Sequence, residues 1–304
     1  MLLELLHQQS GFSYRQLEYF ASTASTRYRT YEIAKRTGGT RTIAQPSRTI
    51  KTLQRWLNRF VIGRFPVHRS ATAYSKGANI RDNAARHIKS NFTLHADFES
   101  FFPSFGARHV KKFLKERSGG FGIDLTEDDV CFFQRLVCRF GALTIGAPSS
   151  PLLTNAMMFD FDTALDEWCV AGELVFTRYA DDLFVSSDRP NVLAEALSRI
   201  GECSATFPYA SLRINAKKTA FLSRRYRRSI TGIIVTPTHD LSIGRERKTH
   251  LKAGIYQFQL GRLAPEGCSR LRGMLAFVRD VDSTFYATLV RKYGSSTIAA
   301  IEHF

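Results

Sequence analysis

Hydrophobic and polar positions alternate along this chain with two periods, and the places where the period changes mark its elements. Residues 1 to about 26 carry an amphipathic helical pattern. From Arg27 to Ser47 the pattern predicts strand, turn and strand: Tyr31-Glu32-Ile33-Ala34-Lys35, then Gly38-Gly39, then Arg41-Thr42-Ile43-Ala44. Ile50, Leu53, Trp56, Leu57 and Phe60 share one face of a helix over residues 49–60. Residues 92–97 read as a strand that runs into Phe101-Phe102-Pro103. Residues 107–117 and 126–140 read as helices, and 151–169 as one long helix after Pro151. Two β-prone runs, 174–178 and 183–187, flank Tyr179-Ala180-Asp181-Asp182 and predict a hairpin with adjacent carboxylates at its tip. A helix at about 190–201 follows, 229–235 is a further strand, and the rest is helical and basic. Strands separated by helices around a central hairpin predict an α+β layered domain.

Composition sharpens this picture. The 304 residues suffice for a large core in two or three packed subdomains. Lys and Arg number 43 against 27 Asp and Glu, a net charge of +16 that points to a polyanionic partner. No run approaches the ~18 apolar residues of a membrane span, and Met1–His7 lacks the basic region of a leader, so no membrane association is expected. The five cysteines show neither CxxC nor Cys/His ligand spacing. Cys131 and Cys138, on one predicted helix, are expected to be buried thiols in a reducing, cytoplasmic setting.

The candidate chemistry lies in the carboxylates. Asp97 ends one apolar strand, about 80 residues before the Asp181-Asp182 tip. Carboxylates on neighbouring strands can hold two divalent cations about 3.5–4 Å apart, the arrangement of in-line phosphoryl transfer. Without cations such a cluster would repel itself. Asp97 and Asp181 are the expected direct ligands, with Asp182 either a third ligand or an electrostatic support. Hard oxygen donors favour two Mg2+ ions, with Mn2+ as the alternative.

Several further segments come in a telling order. Arg27-Tyr28-Arg29-x-Tyr31, Gly38-Gly39-Thr40-Arg41-x-Ile43, Pro46-Ser47-Arg48, Ala73-Tyr74-Ser75-Lys76-Gly77, the Asp97 strand, Gly146-Ala147-Pro148-Ser149-Ser150-Pro151, the acidic hairpin and Asn215-x-Lys217-Lys218-Thr219 resemble the successive blocks of reverse transcriptases. Asn83-Ala84-Ala85-Arg86-His87 and Ile230-Thr231-Gly232 resemble blocks of the retron branch. The resemblance spans nearly the whole chain. It implies a right-hand polymerase with fingers, a palm of antiparallel sheet plus helices, and a helical thumb. Residues 1–26 would be an N-terminal helical extension, 27–92 the fingers (with part of 106–145), 93–235 the palm and 236–304 the thumb.

What the resemblance implies for function is RNA-directed DNA synthesis from deoxynucleoside triphosphates. A cognate structured non-coding RNA would serve as template and primer, giving the RNA–DNA hybrid msDNA from the 2′-hydroxyl of a branching guanosine. A separate effector protein and a role in antiphage defence belong to the same expectation. A diversity-generating or group II intron-like reverse transcriptase shares the catalytic blocks and stays open as the alternative. A nucleotide cyclase also uses an acidic palm hairpin, but has no need of a basic thumb.

The resemblance also assigns residues. Lys35 and Arg41 would clamp the β- and γ-phosphates. The backbone amides of Phe98, Glu99, Ser100 and Phe101 would lie near the triphosphate, and Phe102 would exclude a ribose 2′-hydroxyl. Gly146 and Ala147 would let the backbone approach a nucleotide or template base, with Ile145 standing where the family usually has Gln. Lys218 is the expected general acid for pyrophosphate, with Lys217 its solvated neighbour. Arg224, Arg225, Arg227, Arg228, Arg245, Arg247 and Lys248 are expected to meet nucleic-acid phosphates. Asn83 and His87 are expected at an RNA contact or a structural position particular to retron enzymes.

Overall fold

The computed structural model describes residues 2–34, 38–75 and 77–304. Two short helices, α1 (Leu2–Ser10) and α2 (Tyr14–Ser22), open the chain in place of one amphipathic stretch. The hairpin β1 (Tyr28–Ala34) and β2 (Thr40–Pro46) and the helix α3 (Arg48–Phe60) follow as expected. Ser47 caps α3, its hydroxyl accepting from the Ile50 amide. The short α4 (Ile80–Arg86) leads to β3 (Phe92–Asp97), a single turn α5 (Phe101–Ser104), α6 (Ala107–Arg117) and α7 (Glu127–Val137). The expected helix over 151–169 is two, α8 (Ser149–Met157) and α9 (Phe159–Ala171), broken at Met158.

The acidic hairpin is β4 (Val175–Tyr179) and β5 (Asp182–Ser187), followed by α10 (Val192–Thr206) and β6 (Ala220–Ser223). Strands β4-β5-β3-β6, in that order, form an antiparallel sheet. The expected single strand over 229–235 is instead a hairpin, β7 (Arg228–Ile230) and β8 (Ile233–Val235), extended by β9 (Leu241–Ser242). It turns because Thr231 and Gly232 both adopt positive φ, 47° and 82°. Helices α11 (Arg245–Gln259), α12 (Pro265–Val281), α13 (Ser283–Tyr293) and α14 (Ser295–Glu302) complete the chain.

Two hydrophobic cores hold these elements. One joins α1–α3, α6–α10 and one face of the four-stranded sheet through residues such as Leu53, Leu94, Phe133, Leu165 and Val185. The other joins the C-terminal helices to β7–β9 through Ile230, Ile233, Leu251 and Leu275. Alternation along β5 splits it between them: Leu183 and Val185 enter the first core, Phe184 the second. Hydrophobic packing therefore places 230–235 with the C-terminal helices, although the sequence reading puts them with the palm. All five cysteines are free thiols, Cys138 buried just beyond α7 and Cys131 half-buried. Among the described residues no helix is long and apolar enough to cross a membrane.

Candidate active site

Register brings the acidic residues together. Asp97, the last residue of β3, lies directly opposite Asp182, the first of β5. Directly opposed residues have Cα atoms about 4.5–5.5 Å apart. Tyr179 pairs with Asp182, so Ala180 and Asp181 form a two-residue hairpin turn, with Ala180 at φ 58°. Such turns need positive φ at their first central position, a conformation that strains any residue with a Cβ. The Phe98 amide donates to the Asp181 carbonyl at 3.1 Å, tying the turn to the end of β3. Three carboxylates thus share one end of two adjacent strands.

Their partners are well defined. Asp97 is 3% exposed, and its Oδ2 accepts from Lys218 Nζ at 2.8 Å. Asn215 braces the same residue, its amide donating to the Asp97 carbonyl at 2.7 Å. Asp182 Oδ1 lies 2.7 Å from His95 Nε2, and the His95 ring stacks on Phe184 at 4.7 Å and 8°. Burial, and then the charges of Asp182 and Asp97, push the Asp181 carboxyl up to about 6. Burial works against the Lys218 ammonium, but its hydrogen bond to Asp97 and the three carboxylates hold its pKa above the ordinary value.

These are hard oxygen donors crowded where their mutual repulsion is already felt, a donor set that fits a divalent cation. Among the described residues, however, no three Asp, Glu, His or Cys side chains converge on one metal position. Asp97 and Asp182 are instead turned to Lys218 and His95.

Beneath the turn lies a network that sequence reading missed. Arg178 and Asp162 are both fully buried. Arg178 donates to both Asp162 oxygens, Nε to Oδ1 at 2.7 Å and Nη2 to Oδ2 at 2.6 Å. Its remaining terminal nitrogen donates to the Ala180 carbonyl at 3.1 Å and to Asn155 Oδ1 at 3.2 Å. Asn155 in turn donates to the Ala73 carbonyl at 2.7 Å. The guanidinium fork therefore ties α9 and α8 to the acidic turn. Its signal in the sequence is an arginine inside an apolar strand, which needs a buried anion.

Other expected residues fall into several groups. Arg41 is exposed on β2, while Lys35 lies outside the described residues. Burial and then Asp181 raise the Tyr74 hydroxyl pKa, and Arg41 acts in the opposite sense, so Arg41 and the acidic turn act on the same side chain. Phe102 is half-buried, edge-on to the buried Phe101 at 5.5 Å. Of the four expected amide donors, two are already engaged: Phe98 with the Asp181 carbonyl, and Glu99 with that of Arg213 at 2.8 Å. The other two are those of Ser100, at φ 48°, and Phe101. A Cβ on Gly146 would stand 2.7 Å from the Ala44 carbonyl oxygen, and Ala44 donates to the Ile145 carbonyl at 2.8 Å. The close approach here is therefore made by β2, and Ala147 is buried beside it.

Asn83, His87 and Arg228 are each fully buried, so their side chains are not available for the expected contact with nucleic acid. His87 is held by Ser186 Oγ at 2.8 Å and Thr177 Oγ1 at 2.7 Å, across β5 and β4. Burial, and then Arg86 and Arg228, lower its pKa to about 3, so the ring is neutral. Asn83 Nδ2 reaches Thr231 Oγ1 at 3.5 Å, and that hydroxyl donates to the Ile80 carbonyl at 3.3 Å. The two retron-like blocks thus meet each other, docking α4 against the β7–β8 turn.

Of the remaining cations, Arg224, Arg225 and Arg227 are exposed around the exposed Tyr226. Arg245 is exposed and shares a cleft with Arg227 and His250. Arg247 donates to the Gly232 carbonyl at 2.8 Å, and Lys248 pairs with Asp282 at 2.8 Å, so both also brace the fold.

Known proteins are similar to this chain over most of its length. The pattern of the family described as reverse transcriptase (RNA-dependent DNA polymerase) matches residues 33–235. The chain is 33% identical to the Retron Ec83 reverse transcriptase of Escherichia coli, over 93% of this chain and 92% of the relative. It is 31% identical to the Retron Ec86 reverse transcriptase of the same organism, over 96% and 92%. Among solved structures, the telomerase of Candida tropicalis with a fragment of telomeric RNA is similar in fold, at a TM-score of 0.50 and 12% identity, covering 92% of this chain and 59% of that one.

Proposed function

Because this chain belongs to the retron reverse transcriptases and is an RNA-directed DNA polymerase, we propose that it copies part of a cognate structured RNA into msDNA, primed from the 2′-hydroxyl of a branching guanosine, by two-metal phosphoryl transfer. The observation that carries this reading is the pairing of Asp97 with Asp182 beside the Asp181 turn. Asp97 and Asp181 would hold two Mg2+ ions, with Mn2+ able to replace them, and Asp182 would be a further ligand or an electrostatic support. Held there, the ions would lower the pKa of the attacking hydroxyl and offset the charge of the triphosphate. Lys218, protonated and beside Asp97, supplies a proton to the departing pyrophosphate. Arg41 meets the phosphates, with Lys35 its expected partner, and Phe102 stands against the 2′ position of the incoming sugar.

The hairpin and α3 serve as fingers, the four-stranded sheet as palm and the C-terminal helices as thumb. The exposed cations Arg224, Arg225, Arg227 and Arg245 track the phosphate backbone. A cytoplasmic location, a separate effector protein and a role in antiphage defence complete the proposal.

The test has two arms. Asp181→Asn with Asp182→Asn should abolish primer extension while RNA binding stays within a few-fold; full extension by that variant would refute the metal assignment. Sequencing the nucleic acid that co-purifies with the wild type should return a branched RNA–DNA hybrid, whereas linear RNA alone would remove the retron product from the proposal.

A further inference from the structure

Past the end of α7 the chain makes a further two-residue turn that the catalytic reading leaves unexplained. Arg139 and Ala142 exchange both backbone hydrogen bonds, at 2.8 and 3.3 Å. Phe140 and Gly141 between them sit at φ 49° and 86°. Two positive φ values define a turn that favours Asn-Gly or Gly-Gly, and a bulky aromatic at its first position is strained. This phenylalanine is also 69% exposed, so burial in the core does not compensate for the strain.

The turn is rigidly mounted. The Phe140 amide donates to Ser25 Oγ at 3.1 Å. Ala107 donates to the Gly141 carbonyl at 2.7 Å and Leu143 to that of Phe105 at 3.0 Å, linking the turn to the stretch that follows Phe102. One guanidinium lies on the Phe140 ring, and a second is carried two residues from the turn's Ser25 anchor. The Arg139 guanidinium lies 4.7 Å from the Phe140 ring centre and 5.6 Å from that of Tyr28. Arg27, two residues from Ser25, lies 4.9 Å from Tyr19 and 5.3 Å from Phe20.

We infer that Phe140 is a stacking platform for an unpaired base of single-stranded RNA, with Arg139 and Arg27 placed for the flanking phosphates. The inference rests on the polymerase reading for its partner. A rigid exposed ring among guanidinium groups matches sequence-tolerant binding of single strands by base stacking and phosphate contact. An apolar protein partner would instead have to bury the two arginines, on a chain that carries a net +16.

The test uses the full chain, freed of nucleic acid, and a single-stranded uridine-rich RNA oligonucleotide. Phe140→Ala should weaken binding about 5- to 100-fold without changing its salt slope, and Phe140→Trp should restore it. Phe140→Asn, which tolerates positive φ, should unfold at a higher temperature than the wild type while binding RNA more weakly. A merely structural phenylalanine would give lower stability and unchanged RNA affinity, which would overturn the inference. A change in oligomeric state on Phe140→Ala with RNA affinity intact would overturn it too, in favour of a protein contact. Wild-type primer extension reports separately on the polymerase: failure there, with Phe140-dependent RNA binding retained, would sink that reading and leave this one standing.

Discussion

Arg178 shows how a single side chain fixes the geometry of a carboxylate it never touches. All three nitrogens of its fork are engaged, by Asp162, Asn155 and the Ala180 carbonyl, with no water-exposed surface. Removing one partner of such a pair leaves a buried charge and typically costs about 3–5 kcal/mol. Arg178→Met should therefore lower stability steeply in urea titrations. Asp162→Asn keeps the shape but leaves the guanidinium without its anion, so it should also lose stability; in its folded fraction kcat for nucleotide addition should fall more than KM rises. Unchanged kcat in that variant would show that the turn holds itself.

His87 gives a pH signature. Its folded pKa of about 3 lies below the ordinary value of about 6.5, so below pH 6.5 the unfolded chain binds a proton that the folded one refuses. Above pH 6.5 both states are neutral and nothing is lost. As pH falls from 6.5 towards 3, stability should decline by up to ~1.4 kcal/mol per pH unit from this residue. His87→Gln should show a shallower decline between pH 6.5 and 4.5 in denaturant titrations, and an equal slope would place the proton elsewhere.

At the scale of elements, legibility followed local pattern. The hairpin of β4 and β5 was readable because apolar runs flank a short polar tip, and Asp97 because it ends an apolar strand. Strand β6 was not, since Ala220-Phe221-Leu222-Ser223 is short and followed by arginines. The break at Met158 carries no proline or glycine, and the β7–β8 turn is hidden within a β-prone run. Burial of Asn83, His87 and Arg228 was equally illegible, because their partners Thr231, Ser186, Thr177 and the Ser90 carbonyl are distant in sequence. Gly146 is the position where an element contact meets a single atom. Gly146→Ala combines positive φ with a clash against the Ala44 carbonyl, and should cost about 1–3 kcal/mol. Faster amide exchange of Ala44 than in the wild type would be its mark, and unchanged protection there would show that β2 can yield.

For the molecule as a whole, the net charge of +16 is resolved into cations that brace the fold and cations that face solvent. Arg228, Arg247 and Lys248 are bound internally, whereas Arg224, Arg225 and Arg227 are exposed. Replacing those three with Ala should weaken RNA binding and reduce the slope of log K against log salt by about 0.7–0.9 for each phosphate no longer neutralised. A preserved slope would show that this turn faces water in the complex.

Phe184 then acquires a meaning that neither core has alone. Its ring belongs to the hydrophobic packing of the C-terminal helices, yet it lies flat against the imidazole that grips Asp182, two residues away along the same strand. Any displacement of those helices would have to carry that ring or slide across it. One benzyl group thus joins the packing of the C-terminal helices to the side chain that holds Asp182.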